Sequence, residues 1–124
     1  MIAYVTLGSN NFEPAAKFYD ALLTELNAKR LMNTDRIILW GTAMNAPMLS
    51  ICKPYDGMPA TCGNGVMVAL AAGSPAQVDS LHRKALELGG SGEGAPGPRA
   101  DGAFYIGYFR DLDGNKLNFF SPAQ

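Results

Sequence analysis

The chain has 124 residues, 48% of them hydrophobic and 17% charged, with 14 glycines and 8 prolines, which suits one globular domain of ordinary size. That balance excludes a disordered tail, a coiled coil and a collagen-like fibre. Ten Lys and Arg against eleven Asp and Glu leave a net charge of −1, so no electrostatic attraction to nucleic acid or to an anionic membrane is expected.

The first eight residues lack the basic start and long apolar stretch of a signal peptide, and no apolar run reaches the roughly 18 residues of a membrane span. Cys52 and Cys62 are too few for a disulfide framework and too far apart for a C-x-x-C metal knuckle. The expectation is a cytoplasmic protein with reduced thiols.

Residues 2–7 read IAYVTL, rich in β-formers, and end at Gly8-Ser9-Asn10-Asn11, where turn-forming residues gather. Asn10 or Asn11 is suited to cap a helix, its short side-chain oxygen accepting an orphan N–H of the first turn. Ala15, Phe18, Tyr19, Leu22, Leu23 and Leu26 then fall at i, i+3, i+4, i+7, i+8 and i+11, the spacing of an amphipathic helix. Extended segments follow at 29–33, 36–42 and 47–53, giving β-α-β-β-β.

The same order then recurs. Residues 65–71 read GVMVALA, and Ser74-Pro75-Ala76-Gln77 is a helix start with Ser as N-cap, Pro at the first position and Gln at the third. Val78, Leu81, Ala85 and Leu88 continue at helical spacing, and Gly89-Gly90 end the helix. The Gly/Pro-rich stretch 91–102 is read as a short irregular edge strand. Residues 103–110 and 115–121 are the last two strands, joined by Asp111-Leu112-Asp113-Gly114-Asn115, which has hairpin chemistry. Sliding the second half onto the first sets Met67 on Tyr4 and Leu70 on Leu7 at an offset of 63, and Asn118 on Ser50 and Pro122 on Pro54 at 68. The single domain 1–124 thus holds two modules, about 1–53 and 65–122, with 54–64 as linker.

Two βαβββ copies in one small α+β domain resemble the vicinal oxygen chelate superfamily, which includes glyoxalases, bleomycin-resistance proteins and extradiol dioxygenases. The resemblance rests on Tyr4-Val5-Thr6-Leu7-Gly8-Ser9-Asn10, Phe18-Tyr19-Asp20-Ala21-Leu22, Gly63-Asn64-Gly65-Val66-Met67-Val68-Ala69-Leu70, and Gly94-Ala95-Pro96-Gly97-Pro98-Arg99. The most specific motif is Tyr108-Phe109-Arg110-Asp111-Leu112-Asp113-Gly114-Asn115-Lys116-Leu117. It implies two curved mixed sheets around a cleft, a homodimer, and a divalent metal that chelates two adjacent substrate oxygens as a Lewis acid. In such proteins the ligands are His, Gln or Glu from the first and last strands of each module. The matching positions here are Tyr4, Ser50, Met67 and Asn118. Neutral Tyr, Ser and Asn are poor ligands beside imidazole or carboxylate, and a thioether suits soft Cu(I), so no metal site and no cofactor are expected.

Strand alternation gives a matching geometry from the residues alone. Ala3, Val5 and Leu7, Leu49 and Ile51, Val66, Val68 and Leu70, and Leu117 and Phe119 form apolar sets that would pack under the helices. The opposite sets, Tyr4, Thr6, Met48, Ser50, Cys52, Met67, Lys116, Asn118 and Phe120, would line the cleft. That lining suits a small-molecule pocket or a filled interior whose Tyr and Asn bond each other. The ligand contacts expected are Tyr4, Thr6, Met48, Ser50, Met67, Asn118 and Phe120.

The remaining candidates have structural readings. His82 is the sole histidine, suited to a helix surface or helix–sheet contact. Cys52 reads as a small buried apolar residue or a reactive thiol, and Cys62 has no assigned role. Arg110, Asp111 and Asp113 beside Gly114 fit turn chemistry, with Asp capping and Gly at positive φ. The glycine-rich run 89–94 follows a helix, so it is not a phosphate loop. Trp40, Tyr105 and Tyr108 suit either the pocket wall or core and dimer packing. The function expected is metal-independent binding of a small molecule. The alternative is a glyoxalase-type lyase, isomerase or dioxygenase with displaced ligands, Asp101 or Glu93 from the long loop among them.

Overall fold

The structure, a computed structural model, describes residues 1–123. The elements run β1 (Tyr4–Gly8), α1 (Phe12–Leu23), a 3-10 turn (Thr24–Leu26), β2 (Lys29–Asn33), β3 (Ile37–Gly41), β4 (Met48–Cys52), β5 (Val68–Ala71), α2 (Pro75–Glu87), β6 (Ser91–Arg99), β7 (Phe104–Arg110) and β8 (Lys116–Pro122). The chain divides into two compact units, Met1–Gly63 and Asn64–Gln124. Each is one βαβββ module with a four-stranded mixed sheet, ordered β1-β4-β3-β2 in the first unit and β5-β8-β7-β6 in the second. The first strand of each module runs parallel to its last, and the other pairs are antiparallel.

In the first unit α1 packs on β2 and β4. Phe18, Tyr19, Leu22 and Leu23 supply its apolar stripe, and Ile38, Trp40, Leu49 and Ile51 meet it from the sheet, all of them buried. The α-helix ends at Leu23, and Leu26 belongs to a tighter 3-10 turn closed by Asn27 at φ 60°. At the helix start Asn11 holds the N-cap position without a side-chain cap. Ser9 Oγ instead accepts the Asn11 N–H at 3.1 Å. The Asn10 amide is engaged with Ala60, donating to its carbonyl at 3.0 Å and accepting its N–H at 2.7 Å. The capping expected of either asparagine is therefore replaced by an anchor for the 54–64 segment.

In the second unit α2 packs on β6, β7 and β8. Val78, Leu81, Ala85, Phe109, Leu117 and Phe119 are fully buried there, and the Phe109 and Phe119 rings stack at 4.9 Å. Ser74 Oγ accepts the Gln77 N–H at 3.1 Å, and Gln77 Oε1 accepts the N–H of Gly73 at 2.6 Å, so the predicted cap forms with its return bond one residue further back. Gly89 ends the helix at φ 107°. The 111–115 turn is also as read: Asp111 Oδ1 accepts from the N–H groups of Asp113 and Asn115, and Gly114 takes φ 87°.

Two strands depart from the sequence reading. β5 begins at Val68, because Gly63 and Gly65 adopt positive φ and keep 63–67 out of the ladder. Met67 is thus just outside the strand. β6 is longer than expected, nine residues along the outer edge of its sheet, with register shifts at Gly92/Gly94 and Gly94/Gly97.

Candidate functional site

Each sheet has a helix-bearing face and a face without a helix. In the first unit, Trp40 lies opposite Leu49 in the register, touches Tyr19 of α1 and donates to Asp20, so these residues mark the helix side. The other face carries Tyr4 beside Met48, Thr6 beside Ser50, and Leu39 across from Ser50. Ser50 is fully buried, Met48 is buried, Thr6 is exposed, and Tyr4 is 50% exposed. Ser50 Oγ donates to the Ile51 carbonyl at 3.5 Å. Cys52 follows on the same face, half-buried and in register with Gly8 and Ile37.

In the second unit the helix side is marked by Tyr105, whose hydroxyl donates to Asp79 of α2 at 2.7 Å. That bond raises the Tyr105 phenol above its ordinary value, since the Asp79 carboxylate favours the protonated form. The other face aligns Ala69 and Tyr108 on either side of Asn118, and Ile106 beside Phe120. Asn118 is 2% exposed and Phe120 half-buried. The Asn118 amide N–H donates to Met67 Sδ at 3.6 Å, while its Oδ1 is buried with no hydrogen-bond partner among the described residues. Met67 itself is 43% exposed. The structure therefore groups Tyr4, Thr6, Met48 and Ser50 on one helix-free face, and Met67, Asn118 and Phe120 on or beside the other.

The tyrosine facing Asn118 is part of a larger arrangement. Arg99 Cζ and Lys116 Nζ each lie 5.6 Å from the centroid of the Tyr108 ring. The Arg99 guanidinium also donates from Nη1 to the Pro98 carbonyl at 3.1 Å and from Nη2 to the Ala95 carbonyl at 2.9 Å. Arg99 belongs to the 94–99 motif, but no site role follows for it from the sequence. The signal for Tyr108 was present: a turn at 111–115 fixes the hairpin register and sets residue 108 opposite 118. The Arg99 contact depends on the β6 register shifts, which no sequence pattern announces.

The remaining candidates have local roles. His82, on α2 and 6% exposed, donates from Nε2 to the Tyr108 carbonyl at 2.9 Å, a helix–sheet contact that fixes the tautomer. Glu93 is paired with Arg110, and Asp101 lies exposed in a turn at φ 55°. Among the described residues no group of three or more His, Cys, Asp or Glu is placed to hold a metal ion. The residues at the metal-ligand positions of the resemblance do not fit a hard divalent cation: a phenol, a hydroxyl, a thioether, and an amide whose N–H faces that thioether.

A cavity of about 500 Å³ opens on the helix-bearing side of the first unit, near Phe12, Lys17, Arg30, Asp35 and Lys53. Another, of about 510 Å³, lies against Ser9, Asn10 and the 53–59 loop. None of the seven contacts expected from sequence lines either one. Among the described residues no helix is long and apolar enough to cross a membrane.

No family model matches the chain, and no curated protein matches it. Solved structures do. A glyoxalase/bleomycin resistance protein from Albidiferax ferrireducens T118 is 36% identical, with 97% of each chain covered and a TM-score of 0.87. A glyoxalase-related enzyme from Fulvimarina pelagi is 21% identical, covering 97% of this chain and 86% of that one, with a TM-score of 0.76. Lactoylglutathione lyase from Agrobacterium tumefaciens is 18% identical over 97% of this chain and 92% of that one, with a TM-score of 0.69. The latter two bear on the fold alone.

Proposed function

Because the chain belongs to the glyoxalase/bleomycin resistance protein family, we propose that it is a metal-independent binder of small, partly aromatic or apolar molecules, working through the helix-free faces of its sheets. The observation that carries this reading is Asn118. A buried acceptor without a partner costs stability, about 1–3 kcal/mol, and a ligand N–H or O–H would satisfy Oδ1. Around it Met67 offers adaptable apolar surface and Phe120 an aromatic wall, while Tyr4, Thr6, Met48 and Ser50 supply matching contacts on the first sheet. Recognition by directed hydrogen bonds over an apolar surface needs no Lewis acid. We further place the protein in the cytoplasm as a homodimer, with Cys52 and Cys62 outside any disulfide.

The test is thermal shift of the purified protein against a panel of neutral one- and two-ring aromatic compounds bearing a hydroxyl or amide. At least one member raises the melting temperature, by the equivalent of about 2.7 kcal/mol at 100 times its Kd. Asn118→Leu stays folded, melts at the same temperature or higher because the orphan acceptor is gone, and loses that shift. An Asn118→Leu protein that keeps full affinity would overturn the role given to the amide.

A further inference from the structure

The same face of the second unit carries more charge than a binder of neutral molecules needs. Two cations lie against one tyrosine ring, Arg99 and Lys116, both half-buried. Arg30 is paired with Asp20 and Arg110 with Glu93, while Arg36 and Lys53 lie over Tyr55 and Phe12 with one cation to each ring; Tyr108 carries two. Among the described residues neither Arg99 nor Lys116 is paired with a carboxylate. Like charges near one ring repel each other, more so away from bulk water, and a bound anion offsets that cost.

Arg99 is also held in place. Its two bonds to Pro98 and Ala95 leave three of the five guanidinium N–H groups for a ligand. Small residues make room for the stack: a Cβ at Gly94 would stand 3.2 Å from Tyr108 Cδ1, and one at Gly97 3.2 Å from Arg99 Nη1. Lys116 and Asn118 are two residues apart on one face of β8, so their Cα atoms stand about 7 Å apart. A benzene ring bearing an oxyanion at one end and a hydroxyl at the other spans a comparable length between its outermost oxygens.

Resting on the reading of this face as a ligand site, we propose that its ligand is a small aromatic oxyanion. The carboxylate or phosphonate is held by Arg99 and Lys116 beside Tyr108, and a hydroxyl or amide N–H at the far end of the ring donates to Asn118 Oδ1. No bond is made or broken. The oxyanion accepts charge-assisted hydrogen bonds, and the donor satisfies the buried orphan.

Isothermal titration with four probes tests this: 4-hydroxybenzoate, 4-hydroxyphenylphosphonate, benzoate and neutral 4-hydroxybenzamide. One of the two hydroxylated anions binds at least about tenfold more tightly than the amide, the better one identifying the oxyanion, and the advantage shrinks in high salt. Benzoate, lacking the donor, binds more weakly than 4-hydroxybenzoate, and Asn118→Leu removes that difference. Arg99→Gln with Lys116→Gln abolishes the preference for anions, while Arg99→Lys with Lys116→Arg, which keeps both charges and guards against a folding artefact, retains part of it. Equal binding of anions and amide, or a preference that survives the double Gln variant, overturns the oxyanion proposal and leaves the neutral-binder reading standing. Failure of all four probes and of the neutral panel overturns both.

Discussion

Asp20 shows how one side chain ties a helix to a sheet. It accepts from Arg30 Nε at 2.8 Å, Arg30 Nη2 at 2.7 Å and Trp40 Nε1 at 2.9 Å. The Arg30 fork, and after it the indole N–H, hold its carboxyl below the ordinary value despite partial burial, which acts the other way. A depressed native value means that the stabilisation is complete above the unfolded aspartate value of about 3.9 and is lost as pH falls through the lower native one. Asp20→Ala leaves the indole N–H of Trp40, itself 1% exposed, without an acceptor. It should cost about 1–3 kcal/mol at pH 7 by urea unfolding, with the difference from wild type narrowing below about pH 4. Asp20→Asn, which keeps an acceptor for Trp40, should cost less. The sequence placed Asp20 only in a helix motif, because its partners lie ten and twenty residues away and meet it only once α1 is laid on the sheet.

The two helix starts make a paired experiment at the level of elements. Ser74 caps α2 with its hydroxyl, whereas Asn11 makes no side-chain cap at α1. Ser74→Ala should therefore lower stability by about 1 kcal/mol, and Asn11→Ala should change it by only a few tenths, both read from urea midpoints. Equal losses would contradict the cap assignment. Elements with a local signal were legible: the heptad-like stripe of α1, the Ser-Pro-x-Gln start and double glycine of α2, and the Asp/Gly turn before β8 all sit within a few residues of their expected bounds. Misreadings occurred where a distant group won the competition. Ala60 took the Asn10 side chain, and glycines at positive φ delayed β5.

For the molecule as a whole, the duplication read as offsets of 63 and 68 reappears as a shared register: Thr6 faces Ser50, and Ala69 faces Asn118. The repeat therefore located the candidate positions, and the residue types at them carry the argument about metals. Protein purified without chelator and dialysed should retain far less than half an equivalent of Zn, Ni, Fe or Mn per chain, and EDTA should leave its melting temperature unchanged. More than half an equivalent held through dialysis, with a melting temperature that falls on chelation, would restore the metalloenzyme alternative. What the sequence did not disclose is the cationic stack on Tyr108, since it needs the irregular pairing of β6 with β7. That outer strand has one more consequence. Pro96 and Pro98 have no N–H to offer, Glu93 and Arg99 are charged, and two slips of register break the ladder's regular spacing. Such a border makes a poor template for another chain's backbone, so this flank of the β5–β8 sheet is protected against fibril-like stacking when the protein is concentrated.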